Sequence, residues 1–215
     1  LSQDHYSRDV RILDLVRRMM SAKINDVEGV FIPQPFDPKR GLMRQDGTPG
    51  DLFLPWRTTA LMLGGADFIG SIRLPGGSQN RVFSRDDETV MVIWNDTPLT
   101  ETIFMGDDAR QVDLWGHHDS PKKEEFRQVF EVGPMPTFIT GVDRGIIRCR
   151  QSVSFERDQI PSVYERSHEN VFRITNTFDR GVAVSAKLAV EEGWTIVPQH
   201  LTLRMDREKS VEYPF

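Results

Sequence analysis

The spacing of apolar residues changes character at Gly64-Gly65. Before that point Ile12, Leu13, Val16, Met19 and Met20 recur every three or four residues, which predicts an amphipathic helix with one apolar stripe. Ser2 is placed to cap that helix near Gln3, and Lys23-Ile24-Asn25-Asp26 breaks it. Val27 to Ile32 is a short, nearly continuous apolar run, the pattern of a parallel strand covered on both faces. Pro33 and Pro35 end it, because neither can donate to a ladder. A Gly-, Pro- and Asp-rich loop from Gln34 to about Asp51 is longer than most connections, and such loops are usually functional or disordered. Pro55 suits the first turn of a helix over Trp56 to Leu63, which Gly64-Gly65 stops.

Beyond Gly65 the period becomes two. Strands are expected over Asp67–Leu74, Asn80–Ser84, Thr89–Asn95, Thr102–Met105, Arg110–Leu114, Arg127–Val132 and Pro136–Ile139. Pro75-Gly76-Gly77, Asp86-Asp87, Asn95-Asp96-Thr97-Pro98 and Gly106-Asp107-Asp108 supply the turns between them. Val90 to Trp94 is apolar on both faces and reads as a central strand. A further β-unit starts near Gly141-Val142-Asp143. There Val182, Val184, Ala186, Leu188 and Val190 alternate with Ser185, Lys187 and Glu191, the half-buried antiparallel signature. Phe172, Ile174 and Phe178 share one face, as do Leu201, Leu203 and Met205. Ile147, Cys149, Val153 and Phe155 are likewise placed on one face of a strand.

The fold expected is therefore mainly β: two antiparallel β-sandwich units preceded by a remnant strand–helix unit of a (β/α)8 barrel. The domains expected are a terminal helix–strand–loop–helix of a truncated barrel over 1–65, a β-sandwich over 66–142 and an incomplete Ig-like sandwich over 143–215. One strand–helix unit cannot bury both faces of a parallel strand. The chain also begins at Leu1 and ends in the strand-like Val211–Phe215. Both features read as an excerpt of a larger protein.

Composition narrows the function classes. A net charge of −5 and no basic stripe argue against nucleic acid. No apolar run approaches the roughly 18 residues of a membrane span. The lone Cys149 excludes an internal disulfide and a cysteine-based zinc site and reads as a small buried hydrophobe. His117-His118-Asp119 is the nearest thing to a metal motif, but adjacent histidines point apart on a strand and no second cluster has ligand spacing. No cofactor is expected. Asp86-Asp87-Glu88, Asp107-Asp108 and Glu191-Glu192 fall in predicted turns and read as solvated charges, so no carboxylate pair for glycoside hydrolysis is nominated. If Val27–Ile32 is a barrel strand, Pro33 to Asp37 lies at its C-terminal end, the active-site face of such barrels. That makes Gln34, Phe36 and Asp37 the candidate substrate-binding residues: an amide, an apolar platform and a carboxylate. The competing reading makes Asp37-Pro38 and Asp46-Gly47 turn formers. Trp56, Trp94, Trp115 and Trp194 are weighed as sugar contacts, with core packing the commoner role for Trp94 and Trp115.

Val30-Phe31-Ile32-Pro33-Gln34-Pro35-Phe36-Asp37 and Gly47-Thr48-Pro49-Gly50-Asp51-Leu52-Phe53-Leu54-Pro55-Trp56-Arg57-Thr58-Thr59-Ala60 resemble the last strand and helix of the barrel in glycoside-hydrolase-like proteins. Val90-Met91-Val92-Ile93-Trp94, Val112-Asp113-Leu114-Trp115-Gly116 and Val132-Gly133-Pro134-Met135-Pro136-Thr137-Phe138 are similar to the β-sandwich that follows such barrels. Asn176-Thr177-Phe178 and Glu192-Gly193-Trp194-Thr195-Ile196-Val197-Pro198 resemble the Ig-like domain associated with alpha-galactosidases and NPCBM modules. The resemblance implies the accessory region of a retaining glycoside hydrolase, extracellular or periplasmic, with a carbohydrate substrate. Its catalytic glutamates would precede Leu1, leaving this stretch without hydrolase activity. The alternative is a non-catalytic glycan-binding or cell-surface β-sandwich protein.

Overall fold

A computed structural model describes residues 1–161, 163, 166–188, 190 and 192–215. Strands hold 32% of the chain and helices 17%, so the fold is mainly β. It forms two compact units, Leu1–Arg144 and Gly145–Phe215.

The first unit opens with helix α1 (Arg8–Ile24), capped by Ser7, whose hydroxyl accepts from Val10 N at 3.4 Å. Ser2 is not the cap; its hydroxyl accepts from Asp4 N within a preceding turn. Ile12, Val16, Met19 and Met20 form the buried stripe as expected. The predicted strand Val27–Ile32 does not form. Asp26 turns the chain with φ 52°, no strand pairs with the run among the described residues, and Val27, Val30 and Phe31 are exposed, Phe31 at 88%. An apolar run becomes a strand only when a neighbour takes up its backbone groups. Helix α2 (Phe53–Leu63) has Pro55 in its first turn and ends at Gly64, whose N–H bonds Ala60 O at 2.8 Å.

The strands that follow are β1 (Asp67–Gly70), β2 (Gln79–Arg85), β3 (Glu88–Trp94), β4 (Leu99–Ile103), β5 (Arg110–Val112), β6 (His118–Asp119), β7 (Lys122–Glu124), β8 (Arg127–Val132) and β9 (Thr137–Thr140). Pairing is antiparallel throughout, in a six-stranded sheet β1-β2-β3-β9-β5-β6 and a three-stranded sheet β4-β8-β7. Every predicted strand from 67 to 139 has its counterpart, and β3 is central as expected. The short β6 and β7 were not foreseen, because two or three charged residues carry no alternation.

The central sheet is buried on both faces. On one, Phe83, Val90, Val92, Trp94, Val112 and Phe138 share a core with Ile12, Val16 and Met20 of α1 and Leu63 of α2. This core runs continuously across residue 65. On the other face Val82, Met91, Ile93 and Ile139 are fully buried. Phe130, Val132 and Ile103 supply the matching apolar face of the three-stranded sheet, and Gln111 of β5 donates to Glu131 O of β8 at 2.7 Å. Side chains stand in for missing backbone partners where the ladders stop. Asn80 accepts from Ile72 N and donates to Ile72 O, and Gln128 accepts from Met105 N and donates to Gly106 O.

The second unit contains β10 (Ser154–Phe155), β11 (Val171–Thr175), β12 (Val182–Lys187), β13 (His200–Met205) and β14 (Ser210–Pro214), following helix α3 (Arg144–Gln151). Sheets β10-β11-β14 and β12-β13 enclose one core, with Phe172 and Ile174 from the first and Leu201, Leu203 and Met205 from the second. The alternation expected for β12 holds through Lys187; Val190 is exposed, and Glu191 lies outside the described residues. Cys149 is on α3, not on a strand. The period-two reading fails over Ile147–Gln151, which belong to a helix that buries Ile147, and holds at Ser154–Phe155 in β10, while Cys149, Val153 and Phe155 pack against one core. Asn170 and Asn176 tie the loops: Asn176 alone donates to Arg180 O and Asp206 O and accepts from Phe178 N.

Candidate functional site

The long loop before α2 is a built structure. Asp37 organises its first bend: one carboxylate oxygen, Oδ1, accepts from Lys39 N at 2.9 Å and Arg40 N at 2.7 Å. Asp37 N donates to Gln34 O, Gly41 N to Asp37 O at 2.8 Å and Met43 N to Pro35 O at 2.8 Å. The second bend closes through Arg44 N to Thr48 O and Gly50 N to Leu42 O, with Met43 and Pro49 in a β-bridge. Asp46 caps that bend through Thr48, whose hydroxyl and N–H hold the Asp46 carboxyl below its usual range. Leu42 and Leu52 root the loop in the helix-covered core.

The amino-terminal segment pins the loop from outside. Gln3 N and Arg11 Nη2 both donate to Lys39 O, and Gln3 Nε2 donates to Pro38 O. Lys39 Nζ pairs with Asp4 Oδ2. The pairing draws the Asp4 carboxyl below, and the Lys39 ammonium above, their ordinary values.

Gly41 makes this packing possible. A Cβ there would lie 2.4 Å from Pro35 O and 2.6 Å from Asp37 O, both backbone atoms. Of the two predicted readings of this loop, the hydrogen bonds show the turn-forming one, and the barrel strand on which the other was premised does not form. Asp37 is a turn former through Oδ1, and the turn it forms carries Gln34 and Phe36 outward. Gln34 is exposed, Asp37 is partly buried, and Phe36 is 54% exposed although its neighbours' backbone is tied. The backbone of the turn is thus tied, and one short stretch carries the exposed Gln34 amide, the exposed Phe36 ring and the partly buried Asp37 carboxyl.

The other candidates have other surroundings. Trp94 is buried in the core, with the Arg81 guanidinium 5.6 Å from its ring centre. Trp115 is 39% exposed and is stacked by Arg8; its backbone N–H and that of His117 donate to Asp113 Oδ1. Trp56 packs against Phe53, and Trp194 against His168. His117 Nδ1 lies 3.3 Å from Asp119 Oδ2, with both side chains exposed. No group of three His, Cys, Asp or Glu among the described residues is arranged to hold a metal ion. Cys149 is partly buried, and burial pushes its thiol pKa up, away from a reactive thiolate. No helix among the described residues is long and apolar enough to cross a membrane.

No family model matches the chain, and no curated protein matches it. Among solved structures, the chain is similar to a family 39 glycoside hydrolase from the gut symbiont Bacteroides cellulosilyticus WH2. The identity is 18%, the TM-score 0.47, and the match covers 62% of this chain and 30% of that one. The chain thus spans less than a third of the length of that enzyme. A likeness of this depth leaves activity to be argued from the residues themselves.

Proposed function

We propose that this chain is a carbohydrate-contacting accessory region of a glycoside-hydrolase-like protein, and that the Pro33–Asp37 turn is its sugar-contacting element. The observation that carries this is the exposed Phe36 ring held on a turn that Asp37, Gly41 and Met43 lock. Exposed aromatic area is normally accidental when it rides on a mobile segment. Carried on a tied backbone, it offers contact at less cost in conformational freedom. Gln34 supplies a donor and an acceptor for hydroxyls. Asp37 keeps Oδ2 for a further hydroxyl while Oδ1 holds the turn.

The sequence resemblance adds the class of parent protein: a retaining glycoside hydrolase whose paired carboxylates lie outside these residues, exported from the cytoplasm, with this region bracing a barrel. Hydrolysis there would proceed through an oxocarbenium-like transition state between two carboxyl groups. The acids of the Asp86–Glu88 and Asp107-Asp108 turns take no part in this reading.

The test is a glycan array probed with the 215-residue chain, alongside an aryl-glycoside hydrolysis assay. Saturable retention on carbohydrate with no turnover supports the reading. Absence of retention on every glycan sinks it, and turnover abolished by a point mutation within these residues sinks its division of labour.

A further inference from the structure

Arg11 is a charge among the buried residues of α1. It is 6% exposed, as deep as Met19 and Met20. Arginine is almost never buried to this degree unless it is paired, because a buried charge without a counter-ion is strongly unfavourable. Yet no carboxylate among the described residues lies within ion-pair distance of it, and its Nε has no acceptor there. Its Nη2 donates to Lys39 O at 3.3 Å. That carbonyl already accepts from Gln3 N at 3.2 Å, so it does not depend on the guanidinium for a partner.

The compensating charge lies across one peptide group. Lys39 O and Arg40 N–H are the two ends of the same planar amide, and Arg40 N donates to Asp37 Oδ1 at 2.7 Å. Asp37 has no cation within ion-pair distance among the described residues either; the Lys39 ammonium pairs with Asp4 instead. A cation at the amide oxygen and an anion at its N–H both favour the same direction of the amide dipole, and hydrogen bonds in series polarise one another. The preceding amide is an uncharged counterpart. Gln3 Nε2 donates to Pro38 O at 3.1 Å, and Lys39 N donates to Asp37 Oδ1 at 2.9 Å. Two successive amides thus end on one carboxylate oxygen, one backed by a neutral side chain and the other by a buried cation.

We propose that Arg11 is the positioning residue of the Pro33–Asp37 turn, its guanidinium paired with the Asp37 carboxylate through the Lys39–Arg40 amide. That this turn meets sugar rests on the proposed function; the relay does not. The experiment is amide hydrogen exchange read residue by residue by NMR on the 215-residue chain, with Tm and retention on the glycan that the array selects measured alongside. Arg11→Met keeps an unbranched side chain in the core and leaves Gln3 N on the Lys39 carbonyl. A merely structural role therefore predicts an unchanged Arg40 amide and a Tm held or raised. The relay predicts that the Arg40 amide exchanges about tenfold faster in Arg11→Met, the worth of a charge-assisted hydrogen bond. Arg11→Lys, which keeps the charge, should restore most of the protection, and Gln3→Ala should change it little. In an Asp37→Asn background Arg11→Met should add almost nothing, because the anion at the far end is gone. Asp37→Asn alone leaves the helix core untouched and should shift the Arg11 guanidinium N–H resonances. Retention should fall in Arg11→Met and return in Arg11→Lys. An Arg40 amide that exchanges alike in wild type and Arg11→Met, an effect undiminished by Asp37→Asn or matched by Gln3→Ala, or guanidinium resonances that Asp37→Asn does not move, overturns the relay. Exchange that responds while retention does not overturns the positioning role. A wild type retained on no glycan overturns the sugar contact and leaves the exchange results to decide the relay.

Discussion

Replacing Gly41 with Ala tests whether the loop is rigid without substituting any residue proposed to meet sugar. The added Cβ would meet Pro35 O at 2.4 Å, Asp37 O at 2.6 Å and Asp37 N at 2.7 Å. All three are backbone atoms, so no rotamer change relieves the overlap and the turn must open. Opening it gives up the Gly41 N to Asp37 O and Met43 N to Pro35 O bonds and loosens the two bonds that Asp37 Oδ1 accepts. At about 0.5–1.5 kcal/mol for each backbone bond, with water replacing part of the Asp37 pair, the loss comes to about 1–3 kcal/mol. For a chain of this size that is a fall of roughly 2–12 °C in Tm. Circular dichroism melting measures it, and carbohydrate retention should fall alongside because Phe36 loses its fixed position. An unchanged Tm together with unchanged retention would refute the claim that the turn is a rigid platform.

Other outcomes follow from the same geometry. Glu101 is fully buried, and its carboxylate accepts from Gly76 N at 2.8 Å and Ser78 N at 3.0 Å. Glu101→Ala should therefore lower unfolding stability by about 2–4 kcal/mol in a urea titration, and Glu101→Gln, which keeps one acceptor, by less. The Asp4–Lys39 pair should act only within a pH window. The Asp4 carboxyl is held below its ordinary 3.8, so its contribution is present above that value and is lost as pH falls through the lowered folded value. Lys39 is held above its ordinary 10.5, so its contribution is complete below 10.5 and is lost as pH rises through the raised folded value. Melting curves of the wild type and Asp4→Asn should differ slightly at neutral pH, converge in strong acid and converge in high salt, since the pair is exposed.

Much of the β architecture was legible because alternation is a local signal. Val90 to Trp94 announced a central strand by being apolar on both faces, and Leu201, Leu203 and Met205 announced one face of β13. The failures have physical causes. Val27–Ile32 has strand composition, but pairing is non-local, and its bareness is visible only when no neighbour lies beside it. In the 147–155 stretch Ile147 and Cys149 sit two residues apart, as on a strand face, but 144–151 folds as α3, which buries Ile147 and leaves Cys149 partly buried. In the loop, the turn-forming role of Asp37 was legible from Asp37-Pro38, but the part Gly41 plays was not, since a glycine in a loop gives no hint of which carbonyls crowd it.

The central claim is that sugar contact rests on a ring held in place. Phe31 and Phe36 give a built-in comparison: Phe31 is the more exposed, at 88% against 54%, but only Phe36 sits within the turn locked by Asp37 and Gly41. Affinity electrophoresis of the wild type, Phe36→Ala and Phe31→Ala, through gels containing the polysaccharide that the array selects, compares them directly. The account predicts that Phe36→Ala weakens retention about five- to tenfold, the worth of the remaining exposed half of a phenylalanine side chain, while Phe31→Ala retains wild-type mobility. Equal losses in the two variants, or no loss in Phe36→Ala, would contradict it.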